Sequence, residues 1–275
     1  MLSESFILKS FAKINIFLEI AGKENGLHNL HSLFARINLF DEISVSKSNC
    51  FEVLYNNKTI ENDIITKAVN ILRNHFPQIN TNFHFNITKN IPIGAGLGGA
   101  SSNAAEVLKF LISQNNIAVS REDLLRIGKE IGADVPFFLS QGLKVLNGSS
   151  TELSPFLFNI PQLFAVVAFP KCELLTKDVF AKISPPYSPY ASISSFQDAI
   201  SRGNSMQNAA NEITNGLIVK TLGKISNENA ISTKMSGSGC ACFSLFENEQ
   251  FAQECYNSNK GDEEIQLFCV EVLML

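Results

Sequence analysis

The densest concentration of chemistry-bearing residues is Pro92-Ile93-Gly94-Ala95-Gly96-Leu97-Gly98-Gly99-Ala100-Ser101-Ser102, in which four glycines fall within six positions. Glycine lets successive backbone N–H groups crowd toward an anion. A helix opening at Ser101 would add its unsatisfied N–H groups and the positive end of its dipole. Phosphate binding suits this combination, and a flexible turn ahead of a helix is the plain alternative. Two phosphate motifs fit only in part. Gly94, Gly96 and Gly99 have the G-x-G-x-x-G spacing of dinucleotide sites, but residues 89–93 separate them from the preceding strand pattern. The acids at the expected distance, Glu122 and Asp123, open a helix instead of ending a strand. Gly94 and Gly99 also fit G-x-x-x-x-G-K-[ST], except that Ala100 stands where the ammonium belongs. A phosphate held here must draw positive charge from elsewhere in the chain.

Other residues offer that charge, or a base. In "FAKINIFLEI" (Phe11 to Ile20), Ala12, Ile14, Ile16, Leu18 and Ile20 alternate with Lys13, Asn15, Phe17 and Glu19. Lys13 and Asn15 therefore share one side of a strand, although a surface lysine on an edge strand fits the pattern equally well. Asp134 lies between Gly132, which ends a helix pattern, and the apolar run from Val135 to Leu139. A carboxylate there is costly unless a cation or a substrate hydroxyl pairs it, and a turn or cap aspartate is the alternative. His28 and His31 are three apart, but no carboxylate or cysteine cluster accompanies them, which argues against a metal pair.

The elements that must position these residues alternate in type along the chain. Strand patterns fall near 11–20, 28–39, 41–47, 51–55, 83–88, 163–169 and 265–273, with Asn56-Asn57 as a turn. Helical spacing marks 63–76, with Ile64, Ala68, Ile71, Leu72 and His75 on one face and Pro77 as its stop. A helix over 101–112 would take Ser101, Ser102 or Asn103 as N-cap, and Ser120 with Asp123 has capping-box spacing for a helix closed by Gly132. Asn147 to Ser154 reads as a polar loop leading into a second domain. Beyond it come a helix from Thr176, the break "SPPYSPY", two or three helices across 194–222, and a helix near 247–257. This mixture predicts an α+β fold.

Composition sets the limits. The chain has 275 residues, 45% hydrophobic and 17% charged, as expected of a globular protein with room for two domains. A net charge of −4 argues against nucleic acid or an anionic membrane as principal partner. The six cysteines form no C-x-x-C pair, so strand packing by Cys240 and Cys242 and reduced thiols in a cytoplasmic protein are expected. Glu4, Lys9, Lys13 and Glu19 interrupt the early apolar runs, which argues against a signal peptide.

Five segments in order make a more specific case. "AKINIFLEI", "GLHNLHSLF" (Gly26 to Phe34), "PIGAGLGGASSNAA", "GADVPFFL" (Gly132 to Leu139) and "KMSGSGCACF" (Lys234 to Phe243) together resemble the GHMP kinases, whose phosphate loop has no lysine of its own. The resemblance implies two domains, 1–152 binding ATP and 153–275 completing the fold, with the active site in the cleft between them. It makes Pro92 to Ser102 the ATP loop, Lys13 the catalytic cation that orients the acceptor hydroxyl, and Asp134 the general base. Within the family, "GLHNLHSLF" and "GADVPFFL" point to phosphorylation of the 2-hydroxyl of a cytidine-diphosphate-linked methylerythritol, in non-mevalonate isoprenoid precursor synthesis. Asn15, His28, Thr176 and Phe180 would then bind that substrate, with His28 on the cytosine edge, Phe180 as a stacking ring, and His31 without a role. Mg²⁺ would accompany ATP, with Ser102 as a candidate contact or an ordinary helix cap. The family has an aromatic residue where Leu27 stands, and a Gly-x-Gly-Glu arrangement that Asn147–Glu152 lacks. Homoserine- or mevalonate-type kinases and a non-catalytic nucleotide-binding protein are the rival readings, and oligomeric state is not legible.

Overall fold

The structure is a computed structural model and describes residues 5–24, 26–148 and 152–274. The chain begins with strands β1 (Ser5–Glu24), β2 (Leu27–Lys47) and β3 (Glu52–Tyr55), helix α1 (Ile64–His75) and strand β4 (Phe83–Thr88). Helices α2 (Gly99–Gln114), α3 (Arg121–Ile131) and α4 (Val135–Phe138) follow, then strands β5 (Lys144–Gly148), β6 (Glu152–Pro155) and β7 (Phe164–Phe169). The remainder comprises α5 (Thr176–Ala181), α6 (Phe196–Ser201), α7 (Gln207–Ile213), α8 (Leu217–Ile225), β8 (Ser232–Met235), β9 (Cys242–Phe246), α9 (Glu249–Asn259) and β10 (Gln266–Leu273). This is the expected mixture of strands and helices. No helix among the described residues is long and apolar enough to cross a membrane.

Contacts divide the chain into two compact units. The first holds residues 5–12, Leu39–Ile93 and Gly98–Gln141. Its strands pair through β4, antiparallel to the second half of β2 (Ile43↔Ile87, Val45↔Phe85) and parallel to β3 (Val53↔Phe85). Ile43, Val45, Phe85 and Ile87 are buried there with Val107, Leu108 and Leu111 of α2. Asp63 caps α1 by accepting from the amides of Ile65 and Thr66. The buried stripe of α1 is Ile65, Ala68, Val69 and Leu72, one position round from the face the spacing of Ile64 and Ile71 predicts.

The second unit holds Lys13–Asn38, Gly94–Leu97 and residues 142–274. Strands β8, β9, β7 and β10 form an antiparallel series that continues onto the first half of β2 (Val272↔Ile37). Helix α9 packs on β7, β9 and β10, and α8 on β8 and β9. Val166, Ala168, Met206, Ala210, Ile218, Ile225, Cys242 and Phe246 form its apolar centre.

Two sequence expectations fail here for identifiable reasons. β2 is one strand where two were expected: the chain continues as strand through Phe40 into Asp41, whose carboxylate is fully buried and hydrogen-bonded in place. The polar loop expected over 147–154 is largely a hairpin, with β5 and β6 paired Val145↔Ser154 and Asn147↔Glu152. Val145 and Leu146 stand side by side and β6 offers only Leu153, so no period of two marks these strands; backbone pairing makes them. Residues 149–151 of that expected loop lie outside the described residues.

Candidate active site

The helix end of the glycine loop belongs to the first unit. α2 begins at Gly99, and its N-cap is Gly98 in the left-handed conformation (φ 71°) with no side-chain cap. The expected caps Ser101, Ser102 and Asn103 therefore all lie within the helix. Gly98 reaches positive φ without steric cost, which lets the helix start earlier than a serine cap would. Ser102 is 1% exposed and its hydroxyl accepts from Ser10 Oγ at 2.8 Å, so it faces the interior. Asn103, fully buried, donates to Ser10 Oγ and Asp41. A β-carbon at Gly99 would lie 3.0 Å from Ile91 Cγ2 and 3.3 Å from Lys89 Nζ, so close packing explains this glycine. The first amides of α2 thus meet no capping side chain and suit an anion.

Asp134 also lies in the first unit. It occupies the N-cap position of the one-turn helix α4, yet its side chain makes no capping hydrogen bond. Val135, Pro136, Phe137 and Phe138 behind it are buried, while Asp134 itself is half-buried. The apolar turn fixes the backbone that carries the carboxylate.

The second unit brings together the other half of the glycine loop, Lys13, Asn15 and the loop between β8 and β9. Lys13 is 4% exposed and Asn15 1%, so Lys13 is not the surface lysine of an edge strand. Lys13 Nζ donates to Asn15 Oδ1 at 2.6 Å, and Asn15 Nδ2 donates to Ser32 Oγ at 2.8 Å. The Lys13 amide donates to the Leu97 carbonyl at 2.9 Å, and the Ala241 amide to the Ala95 carbonyl at 3.0 Å. Gly94 to Leu97 is thereby held against β1 and against the C-terminal glycine loop. A β-carbon at Gly96 would lie 2.6 Å from the Ser236 carbonyl oxygen, and one at Gly237 would lie 3.3 Å from Lys13 Nζ. Asn204 Nδ2 fixes the same loop by donating to the carbonyls of Met235 and Gly237. Pro92 and Ile93 precede this contact, with Ile93 76% exposed, and Ala100 beyond it is exposed as well.

Thr176 and Phe180 sit on α5. Leu175, not Thr176, is the N-cap, and the Thr176 hydroxyl instead lies 2.9 Å from Ser238 Oγ of the glycine loop. Phe180 stacks on His28, with ring centroids 5.1 Å apart and planes inclined by 23°. Tyr187 meets His28 edge-on, with ring centroids 6.2 Å apart. Burial and the Lys23 ammonium hold the His28 pKa below the ordinary imidazole value, favouring the neutral ring with one donor and one acceptor nitrogen. Nε2 of His28 is buried without a hydrogen-bond partner, a polar atom left for a ligand. Leu27 beside it is 64% exposed. His31 serves elsewhere: it is 1% exposed and packs between Phe17 and Tyr190 with Arg202 against Nδ1.

Residues 63–142 match the GHMP kinases N terminal domain. The chain is 31% identical to the 4-diphosphocytidyl-2-C-methyl-D-erythritol kinase of Caldicellulosiruptor bescii, over 97% of its own length and 96% of that relative. The chain belongs to the 4-diphosphocytidyl-2-C-methyl-D-erythritol kinase family. A relative of the same name from Clostridium beijerinckii is 32% identical over 92% of the chain and 95% of its own length. Among solved structures, a 4-(cytidine 5'-diphospho)-2C-methyl-D-erythritol kinase superposes with a TM-score of 0.83 at 26% identity, covering 97% of this chain and 99% of that one. The mevalonate kinase of Methanococcus jannaschii, at 16% identity and a TM-score of 0.69, shares the fold.

Against this kinase family, several residues of the site carried no signal in the sequence. Ser32 and Asn204 are ordinary polar residues there, and only three-dimensional pairing with Asn15 and with the β8–β9 loop gives them a part. Tyr187 lay in a segment legible only as a proline-rich break.

Proposed function

We propose that this protein transfers the γ-phosphoryl group of ATP to the 2-hydroxyl of 4-diphosphocytidyl-2-C-methyl-D-erythritol. Membership of the kinase family supports use of ATP and a small-molecule acceptor. The observation that carries the reading is Lys13, a buried ammonium bonded to Asn15 and packed beside two glycine-dependent loops. Gly94 to Gly99 and the uncapped start of α2 hold the phosphates through backbone amides. Lys13 offsets charge on the transferring group and orients the acceptor oxygen, the part an ammonium plays in a phosphoryl transfer governed by positioning and electrostatics. Asn15 hydrogen-bonds the acceptor. Asp134 takes the proton from the 2-hydroxyl as it attacks the γ-phosphorus, and ADP leaves. Phe180 stacks on the cytosine, His28 reads its edge through the unpartnered Nε2, and Thr176 contacts the nucleotide portion.

Mg²⁺ would accompany the ATP phosphates and neutralise their charge; the candidate contact Ser102 has its Oγ turned inward, where it accepts from Ser10 Oγ. The test is an ADP-release assay with 4-diphosphocytidyl-2-C-methyl-D-erythritol, homoserine and mevalonate side by side. Turnover with the cytidine substrate alone is expected. Turnover with homoserine or mevalonate and none with the cytidine compound would overturn the assignment, and nucleotide binding without turnover would mark a non-catalytic protein.

A further inference from the structure

Asp41 is a fully buried carboxylate in β2, outside the set of groups to which the reaction assigns chemistry. Its Oδ1 accepts from the backbone amides of Asn90 at 2.8 Å and Ile91 at 2.9 Å. Its Oδ2 accepts from Asn103 Nδ2 at 2.9 Å and from the Lys89 ammonium. Lys89 Nζ in turn donates to Asn103 Oδ1 at 3.2 Å. Asn90 and Ile91 are the residues that lead into the glycine loop, and Asn103 lies in the helical turn that leaves it. One carboxylate thus ties down both ends of the segment Pro92 to Ser102. We propose that Asp41, with Lys89 and Asn103, forms a clamp that sets the span and direction of the phosphate loop, making Asp41 a positioning residue for ATP.

The clamp rests on the reading of that loop as the nucleotide site. A glycine-rich segment carries little stiffness of its own, because each glycine samples both signs of φ. Its amides converge on an anion only if the two ends are held at a fixed separation, and the cost of ordering them is then met on folding, not on binding. The ion pair also explains why Lys89 does not serve as a phosphate ligand. Its ammonium lies 3.3 Å from the place of a Gly99 β-carbon, close to the loop, but the buried carboxylate and Asn103 already take up its charge. Gly99 gives the ammonium that space.

Asn103→Ala cuts the link to α2 and leaves Asp41 paired with Lys89; Asp41→Asn keeps the shape and removes the charge. Titration calorimetry with the Mg²⁺ complex of a non-hydrolysable ATP analogue, and steady-state kinetics, should show about a tenfold loss of nucleotide affinity in each. The KM for the cytidine acceptor should stay within about twofold of the wild-type value. A merely structural role would lower the melting temperature and the active fraction while leaving nucleotide affinity and KM for ATP unchanged in the folded protein, and that result overturns the clamp. Should both variants fail to fold, hydrogen exchange on the wild-type protein without nucleotide decides. The amides of Asn90 and Ile91 should exchange as slowly as the interior of α2, and exchange at the rate of exposed loops would refute the proposal. If the wild-type protein binds no ATP, the kinase reading fails, and slow exchange at Asn90 and Ile91 still reports whether the clamp exists.

Discussion

Lys13 and Asp134 divide the proposed chemistry between a cation and a base, and each gives a prediction. Asp134→Asn keeps the volume and removes the proton acceptor. Turnover should fall by about two orders of magnitude or more, the range of general-base catalysis, with the affinity for ATP near normal. Turnover within a few-fold of wild type would remove Asp134 from the mechanism. Lys13 is enclosed by Asn15, the plane of Phe34 at 5.3 Å, and the Gly237 backbone. A planar guanidinium needs more room and directs its donors differently, so Lys13→Arg should remain about as impaired as Lys13→Ala in a single-turnover assay. Full recovery by arginine would reduce Lys13 to a general source of charge. The type and spacing of these two residues were legible in the sequence, because a charge set in an apolar pattern is conspicuous. Ser102 was not: a shift of two residues in the start of α2 turns a presumed cap into a buried hydroxyl. Nor was Asp41: an aspartate at the start of a strand pattern gives no sign of the four donors it meets.

At the scale of elements, the two glycine loops test the difference between conformation and close approach. Gly94 and Gly96 both have positive φ, 70° and 77°. A β-carbon at Gly94 would meet nothing within 4 Å, whereas one at Gly96 would lie 2.6 Å from the Ser236 oxygen and 3.0 Å from the Gly239 oxygen. Gly94→Ala should therefore cost only the left-handed strain of about 1–2 kcal/mol. Gly96→Ala adds a collision with backbone atoms that cannot swing aside, and should lower the melting temperature by several degrees more. Equal melting temperatures for the two variants in a thermal scan would mean that the loops do not depend on this approach. Sequence signals located most elements: alternation marks β1 and β4, a continuous apolar run marks β7, helical spacing marks α1, and capping residues bound α3. It failed where pairing rather than pattern decides: β5 and β6 are short and polar, and they are strands because β5 pairs with β2 and with β6. The C-terminal glycine loop was visible as a motif, but its seat against Gly96 arises from contacts between residues 140 positions apart.

At the scale of the whole molecule, the α+β class was legible and the course of the chain was not, since β1 and β2 each give residues to both units. One buried cluster in the second unit links its structure to solvent pH. His31 Nδ1 lies 3.2 Å from Arg202 Nη1 and 3.5 Å from Glu19 Oε2; a guanidinium only donates, so in the neutral ring Nδ1 accepts from it. Burial first, and then the Arg202 charge, hold the His31 pKa below the ordinary imidazole value, while Glu19 and Asp198 oppose them only in part. Asp198 is kept ionised by its hydrogen bonds to Arg202, which hold its pKa at about 2, so it does not titrate near neutrality. The sign follows from proton counting. Above the ordinary histidine pKa neither the folded nor the unfolded chain protonates this ring. As pH falls through about 6.5 the unfolded chain takes up a proton that folded His31 resists, and stability declines by at most about 1.4 kcal/mol per pH unit. His31→Asn keeps an acceptor for Arg202 near the Nδ1 position and removes the titration. Urea unfolding at pH 7.5, 6.5 and 5.5 should therefore show the wild-type midpoint falling more steeply with acid than that of the variant. Parallel declines would mean that His31 is protonated in the folded state and that Arg202 has another acceptor.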